Sequence, residues 1–260
     1  MEKFNLLVEN KKDLKGVLPL ISIITIVYNG AKYIERTINS VINQTYHNIE
    51  FIIIDGGSTD QTLDIIKKYE DKITFWKSEP DLGIADAFNK GISVAKGSII
   101  GFVNSDDWYE DDTIEKVVGY FDSYSVVFGD VQFWEKNKKT HRTYGDHNRL
   151  HHGMTIAHPA VFVKKEIYNK YGLFNLEYKI AMDYEFILRL YFNKVSFYNI
   201  ESILVNMSLG GLSDRKWLEA CIEERKIKGL YIGKIWSYYC FIKQFSIFFV
   251  RNVIKFLKIK

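Results

Sequence analysis

The chain has 260 residues, 47% of them hydrophobic, and a formal charge of +3. This length fits one large α/β domain, or one domain with an appendage, and the apolar fraction supplies a sizeable core. Only two cysteines occur, Cys221 and Cys240, without zinc spacing, and Met1 to Val17 lacks the apolar core and cleavage site of a signal peptide; a disulfide framework is excluded and a cytoplasmic location is expected.

In chain order, Leu20 to Val27 is a β-branched run that reads as a buried strand. Ala31 to Gln44 carries apolar residues near helical spacing, and Ile49 to Ile54 is a second buried strand ending at Asp55. Ser58-Thr59-Asp60-Gln61 has the form of a capping box for a helix running to Tyr69. Ile73 to Lys77 reads as a short strand, Ile84 to Ala95 as a helix and Ser98 to Val103 as a strand. Beyond these, Ser125 to Phe133 reads as strand and His141 to His158 as loop. Ala160 to Val163 is a short apolar run, and Met182 to Phe192 reads as a helix. Trp217 to Lys260 reads as two helices broken near Gly229 to Gly233.

Strands separated by helices imply an open, doubly wound, mostly parallel sheet, whose ligands bind beyond the carboxyl ends of the strands. Those ends carry Thr25 to Asn29, Asp55-Gly56-Gly57-Ser58 and Asn104-Ser105-Asp106-Asp107, which should converge on one rim. A short acidic loop at a strand end suits a hard divalent cation such as Mg²⁺ or Mn²⁺, which takes one or two carboxylates plus substrate phosphates. The plainer reading is that Asp106 and Asp107 cap the next helix; a second acidic strand end at Asp55 favours a site. Asp55 could accept a hydrogen bond from a base N–H, and the glycines after it allow close approach of a ligand. A tight turn with no ligand is the alternative there.

Ser22-Ile23-Ile24-Thr25 through Tyr28-Asn29, Ser40 to Tyr46 and Ile54-Asp55-Gly56-Gly57-Ser58-Thr59-Asp60-Gln61-Thr62 resemble family 2 glycosyltransferases. So do Ser78-Glu79-Pro80-Asp81-Leu82-Gly83-Ile84, Asn89-Lys90-Gly91-Ile92 and Gly101 to Trp108, in the family's order over roughly residues 19 to 205. The likeness is greatest to bacterial O-antigen and capsule transferases. It implies a glycosyltransferase A fold, α/β with an open, mostly parallel sheet flanked by helices, and here a C-terminal amphipathic helical extension. It also implies an inverting mechanism with Mn²⁺ or Mg²⁺ and a nucleotide-diphosphate sugar, a UDP-sugar favoured. By the same resemblance Thr25 and Tyr28 line the nucleobase pocket, with Asn29 beside them, and Asp55 contacts the base. Asp86 and Asn89 face the donor. Asn104-Ser105-Asp106 stands for the family's Asp-x-Asp motif, with Asp106 as metal ligand and Asn104 in place of the first Asp. Asp183 matches the catalytic base, with helix capping as its plainer role and Glu185 as the rival base. His158, before Pro159, matches a histidine near the diphosphate or metal, with His151 and His152 as rivals.

The expected organisation is an N-terminal extension (1–18), a catalytic domain (19–210) and basic amphipathic helices (211–260). The domain divides into a nucleotide-sugar half (19–107) and an acceptor half (108–210). In the tail, Lys243, Arg251, Lys255 and Lys258 fall within an arc of about 120° at about 100° per residue. That pattern describes a helix in a membrane interface, with no run long enough to span it; packing on the enzyme or on a second subunit is the alternative. Basic residues alternating with bulky apolar ones speak against nucleic acid. The partners expected are a nucleotide sugar, a lipid-linked glycan acceptor and the inner face of the cell membrane. Three competing readings are a processive synthase, a silent nucleotide- or carbohydrate-binding protein, and a nucleotidyltransferase. The first lacks a membrane span and a Gln-x-x-Arg-Trp motif, the second is opposed by the presence of Asp106 and Asp183, and the third lacks a Gly-rich basic phosphate loop.

Overall fold

The structure is a computed structural model. It describes the backbone of residues 18–258, and the side chains of 18–248 and Val250. The expected N-terminal extension therefore lies almost wholly outside the described residues. The elements are β1 (Ile21–Val27), α1 (Ile34–Ile42), β2 (Ile49–Asp55), α2 (Thr62–Lys68), β3 (Phe75–Ser78), α3 (Ile84–Val94) and β4 (Ile99–Phe102). There follow β5 (Trp108–Tyr109), α4 (Thr113–Val118), β6 (Val126–Glu135), β7 (Lys138–Thr143), β8 (Val161–Lys164), α5 (Lys165–Tyr171) and α6 (Met182–Phe192). The last are β9 (Phe197–Ser208), α7 (Leu212–Arg215), α8 (Trp217–Tyr231) and α9 (Lys234–Lys258).

One nine-stranded sheet runs β3-β2-β1-β4-β8-β6-β9-β5, with β7 beside β6. The pairs β2–β3, β1–β2 and β1–β4 are parallel, with Ile24 opposite Ile52 and Phe102. Beyond β4 the sheet is mixed: β8 is antiparallel to β4 and β6, while β9 is parallel to β6. The continuous apolar runs are explained by burial on both faces. Ile24, Ile52 and Ile54 join a core that includes α3 and α6, whereas Ile21, Ile23, Phe51 and Ile53 join another with α1 and α4. Burying each such side chain stabilises the fold by about 1.5–3 kcal/mol.

The helix over Met182–Phe192 and the two C-terminal helices, separated at Gly233 with φ +125°, match the periodicity. Three strands escape it, the two-residue β5 and the longer β7 and β9. β7 is polar because it is an exposed hairpin arm, reached through positive-φ Lys136 and Asn137. The alternation of β9 is broken where Glu201 takes φ +55° and its register against β6 shifts. The capping box does not form, because the Ser58 hydroxyl is already bonded to Asp55 and Asn29. The helix starts at Thr62, whose N–H donates to Asp60 Oδ1 at 3.0 Å.

Candidate active site

The carboxyl ends of the parallel strands do converge on one rim. Asn29 N–H donates to Ser58 Oγ at 2.7 Å, Gly30 N–H to Thr62 Oγ1 at 2.9 Å, and Thr59 N–H to Asn29 Oδ1 at 2.8 Å. Asn29 has φ +51°, a left-handed conformation that asparagine tolerates. A Cβ on Gly30 would stand 3.3 Å from Ser105 Oγ, so the loops after β1, β2 and β4 meet there. Tyr28 is 65% exposed on this rim.

Asp55 serves the rim from below. It is fully buried, and its carboxylate accepts from Gly57 N–H (3.1 Å), Ser58 N–H (2.9 Å), Ser78 Oγ (2.6 Å) and the Ser58 hydroxyl. Three of these bonds fall on Oδ2 and one on Oδ1, so the carboxylate expected to contact the base also shapes the turn. The acid that approaches the rim is Asp81, from the loop after β3. A Cβ on Gly56 would stand 2.4 Å from Asp81 Oδ2 and 3.6 Å from the Tyr28 ring, so this glycine is what admits the carboxylate. The strand-end rule, applied to β3 as well, would have pointed to Asp81.

Thr25 does not line the rim. Strand alternation turns it to the face of Ile23 and Val27, where it is 0% exposed and its hydroxyl has no hydrogen-bond partner among the described residues. Asp86 and Asn89 are likewise committed within the chain. Asp86 accepts from Leu82 N–H at 3.0 Å and pairs with Lys90 at 3.2 Å; that N–H, then the Lys90 ammonium, holds its carboxyl below the usual range. Asn89 clamps the backbone of Phe174, donating to its carbonyl at 2.9 Å and accepting from its N–H at 3.0 Å.

The Asn104–Asp107 loop is held from several sides. Asp107 is buried; it accepts from Ser208 N–H at 3.0 Å and from the Asn104 amide at 3.1 Å. Thr37 on α1 donates its hydroxyl to the loop's carbonyls, nearest that of Asp107 at 2.7 Å. Arg36 donates to the Asp106 carbonyl at 2.8 Å and to Ser208 Oγ at 3.1 Å. Nothing in the apolar spacing of α1 marks Arg36, Thr37 or Ser208 as parts of this site. The Asp106 carboxylate is half-buried and receives no hydrogen bond from another described residue. Burial pushes its pKa up, opposed by the charges of Arg36 and Arg215, while burial and the neighbouring Asp106 push Asp107 up.

A partly desolvated carboxylate that no other described residue bonds fits a hard divalent cation whose other ligands are substrate oxygens and water. Among the described residues no group of three or more His, Cys, Asp and Glu forms a protein-only cage. His158 does not join Asp106. Its ring stacks on Phe102 (4.9 Å between centroids) and contacts Phe88 (5.2 Å) and Phe174 (5.4 Å). Burial alone pulls its pKa down to about 3, so it is a neutral packing residue. His151 and His152 lie in a loop against Trp236 of α9.

Asp183 stands in the first turn of α6. Its Oδ1 accepts from Tyr184 N–H at 2.7 Å, and Oδ2 receives no hydrogen bond from another described residue. Burial, reinforced by Glu224 and Glu223, pushes its pKa up to about 6. Glu185 is committed elsewhere: buried, it pairs with Arg189 at 2.8 Å and accepts from Tyr231 Oη at 2.5 Å. A cavity of about 510 Å³ is lined by Pro19, Ser98 and Lys164 at the opposite end of the sheet from the rim and plays no part in it.

The sequence profile of Glycosyl transferase family 2 matches residues 22–196, and the chain belongs to that family. It is therefore a glycosyltransferase. A PGL/p-HBAD biosynthesis glycosyltransferase of Mycobacterium bovis is 30% identical over 205 residues, 75% of this chain and 80% of that one. An uncharacterized glycosyltransferase of Rickettsia typhi is 33% identical over 64% of this chain and 57% of its own. Among solved structures, S. aureus TarS 1-349 in complex with UDP-GlcNAc is similar, with a TM-score of 0.64 and 20% identity over 80% of this chain and 65% of that one. Against the longer TarS structure the match spans 39% of that chain. Mannosyltransferase PcManGT from Pyrobaculum calidifontis, in complex with GDP-Man and Mn²⁺, gives a TM-score of 0.62 and 15% identity over 93% of this chain and 79% of that one. These likenesses show the glycosyltransferase A fold.

Proposed function

We propose that the chain is an inverting, metal-dependent, non-processive transferase that moves a hexosyl or N-acetylhexosaminyl group from a nucleotide-diphosphate sugar to a glycan acceptor. The observation that carries this reading is two carboxylates with oxygens that no other described residue bonds: Asp106 after β4 and Asp183 Oδ2 on α6, whereas Asp55, Asp86 and Glu185 are all engaged. Residues 19–107 form the donor half and 108–210 the acceptor half. The exposed Tyr28 ring and Asp81 receive the base. Asp106 would hold Mn²⁺ or Mg²⁺, which when bound neutralises charge on the donor diphosphate. Asp183 Oδ2 takes the proton of the acceptor hydroxyl as its oxygen bonds to the anomeric carbon. The bond from that carbon to the diphosphate breaks with its electron pair on the diphosphate, and the configuration inverts. A UDP-sugar is favoured, in line with the UDP-GlcNAc complex of TarS; the GDP-Man complex of PcManGT makes GDP-sugars the alternative.

The acceptor is a lipid-linked glycan of bacterial surface polysaccharide, of O-antigen or capsule type, met at the inner face of the cell membrane. Support comes from α9. Ile235, Tyr238, Tyr239, Ile242, Phe245 and Val250 are exposed and lie within an arc of about 140° at about 100° per residue. Ser237 and Cys240 on the other side are buried. This exposed apolar stripe, with Tyr238, Tyr239 and Phe245 also touching Arg225, Trp236 and Trp217 and with exposed Lys243 beside it, suits an interface of anionic lipid. The side chains of Arg251, Lys255 and Lys258 lie outside the described residues. Among the described residues no helix is long and apolar enough to cross a membrane.

The test is hydrolysis across UDP-, GDP- and dTDP-sugars with Mn²⁺, repeated in excess chelator and with Asp106→Ala. One donor class should be consumed, and both treatments should abolish turnover. Full turnover in chelator overturns the metal assignment; nucleotide binding without turnover of any donor favours the silent binding protein.

A further inference from the structure

The helix α8 lies outside the catalytic domain by sequence, yet it reaches the segment that carries Asp183. Glu223 Oε1 accepts from Lys179 N–H at 2.9 Å, and Oε2 accepts from Ile180 N–H at 2.9 Å and Ala181 N–H at 2.8 Å. These are the backbone donors immediately before α6, whose own N-cap, Ala181, supplies no side-chain bond. Backbone amides that enter a helix need acceptors, and here one carboxylate from a helix more than 40 positions away in sequence bonds the three that lead into α6, the last of them the N-cap. Asp183 lies two residues beyond that anchored turn, and its own carboxylate accepts from Tyr184 N–H through one oxygen only.

The next residue on α8 is also fixed. Glu224 Oε2 accepts from Lys228 Nζ at 2.8 Å and from the Gln244 amide of α9 at 2.9 Å. Lys228 is 1% exposed, and its ammonium stands 5.4 Å from the centroid of the Tyr184 ring. Ile227, fully buried, joins the same core as Met182 and Phe186 of α6. The grip of α8 on the Asp183 segment is therefore made of packing, an ion pair and a carboxylate cap together.

From this we infer that Glu223 is a positioning residue of the transferase: by capping the Lys179–Ala181 amides it sets the place and orientation of Asp183, which makes α8 a working part of the acceptor side and not an appendage. The inference rests on the base role proposed for Asp183. Asp183 does the chemistry; Glu223 touches only the backbone that carries it. A misplacement of the base by about 1 Å is enough to cost about a hundredfold in rate.

The experiment is a double-mutant cycle on the full-length chain, reading hydrolysis of the nucleotide sugar selected in the donor panel, with water in place of the acceptor hydroxyl. Glu223→Ala should lower kcat by about tenfold or more while the affinity for the matching nucleoside diphosphate with Mn²⁺ changes by less than about twofold. Glu223→Gln, which keeps one acceptor oxygen, should recover part of the loss, and it is the variant measured if the alanine form does not fold. In an Asp183→Asn background, Glu223→Ala should cost almost nothing more, because the group it positions is already disabled. Normal kcat in Glu223→Ala beside an inactive Asp183→Asn overturns the inference alone, and so does a Glu223→Ala loss that repeats in full in the Asp183→Asn background. If only the glutamine form folds, wild-type kcat in it overturns the inference too. Near-normal hydrolysis by Asp183→Asn overturns the base role, and the inference with it.

Discussion

The guanidinium of Arg36 stands over the indole of Trp108, 3.5 Å from the ring centroid, while one of its nitrogens donates to the carbonyl of Asp106. One side chain on α1 thus holds the backbone of the candidate metal ligand and the ring two residues after it.

Arg36→Ala should lower kcat/KM by about ten- to a hundredfold and raise the Mn²⁺ concentration needed for half-maximal activity, since the loop loses a charge-assisted hydrogen bond. Arg36→Lys should recover little, because an ammonium offers neither the fork nor the planar stacking surface. Metal titrations of the variants check this; an unchanged Mn²⁺ dependence in Arg36→Ala refutes it.

The raised pKa of Asp183, about 6, gives a signed pH dependence. Below that value the carboxyl is protonated and cannot accept the acceptor's proton, so at saturating metal kcat should rise with pH through about 6 and then level off. Asp183→Asn should lose at least about a hundredfold in kcat and also lose that rising limb, with donor binding nearly unchanged. A limb that survives in Asp183→Asn belongs to another group.

Thr25→Val tests the corrected place of Thr25. Its buried hydroxyl has no hydrogen-bond partner among the described residues, so an isosteric methyl should stabilise the protein by about 1 kcal/mol, raising Tm by about 2–4 °C. Donor KM should be unchanged. A rise in donor KM without a change in Tm returns Thr25 to the nucleobase pocket.

Truncation after Gly233 is a poor test of the membrane reading, because it removes Trp236, which donates to the His151 carbonyl, and Gln244, which donates to Glu224. Ile235→Glu with Ile242→Glu is cleaner: the two side chains are 90% and 63% exposed, so folding and donor hydrolysis should survive. Co-sedimentation with anionic liposomes should fall several-fold, and wild-type binding should weaken at high salt. Wild-type protein that ignores the liposomes makes α9 a packing or dimer element.

The order of strands and helices in the first hundred residues was legible in the sequence because hydrophobic patterning is local: short β-branched runs such as Ile49–Ile54 read as strands buried on both faces, and the rim at their carboxyl ends follows from right-handed crossovers. The same locality made Asp106 visible as a carboxylate at a strand end, whereas Asp183 was marked by the family resemblance. Tertiary structure alone decided which polar atoms remain free to act. Asp55, Asn89 and Glu185 have the right chemistry, but partners as distant as Ser78, Phe174 and Tyr231 use their hydrogen-bonding capacity. His158 is closed in by phenylalanines from α3, β4 and the segment before α6. Glu223 is invisible in sequence as part of the site, since its meaning lies in three amides on another element. Periodicity along a chain fixes which face of an element is buried; the satisfaction of buried donors and acceptors depends on contacts between segments far apart in sequence, which only the folded chain brings together.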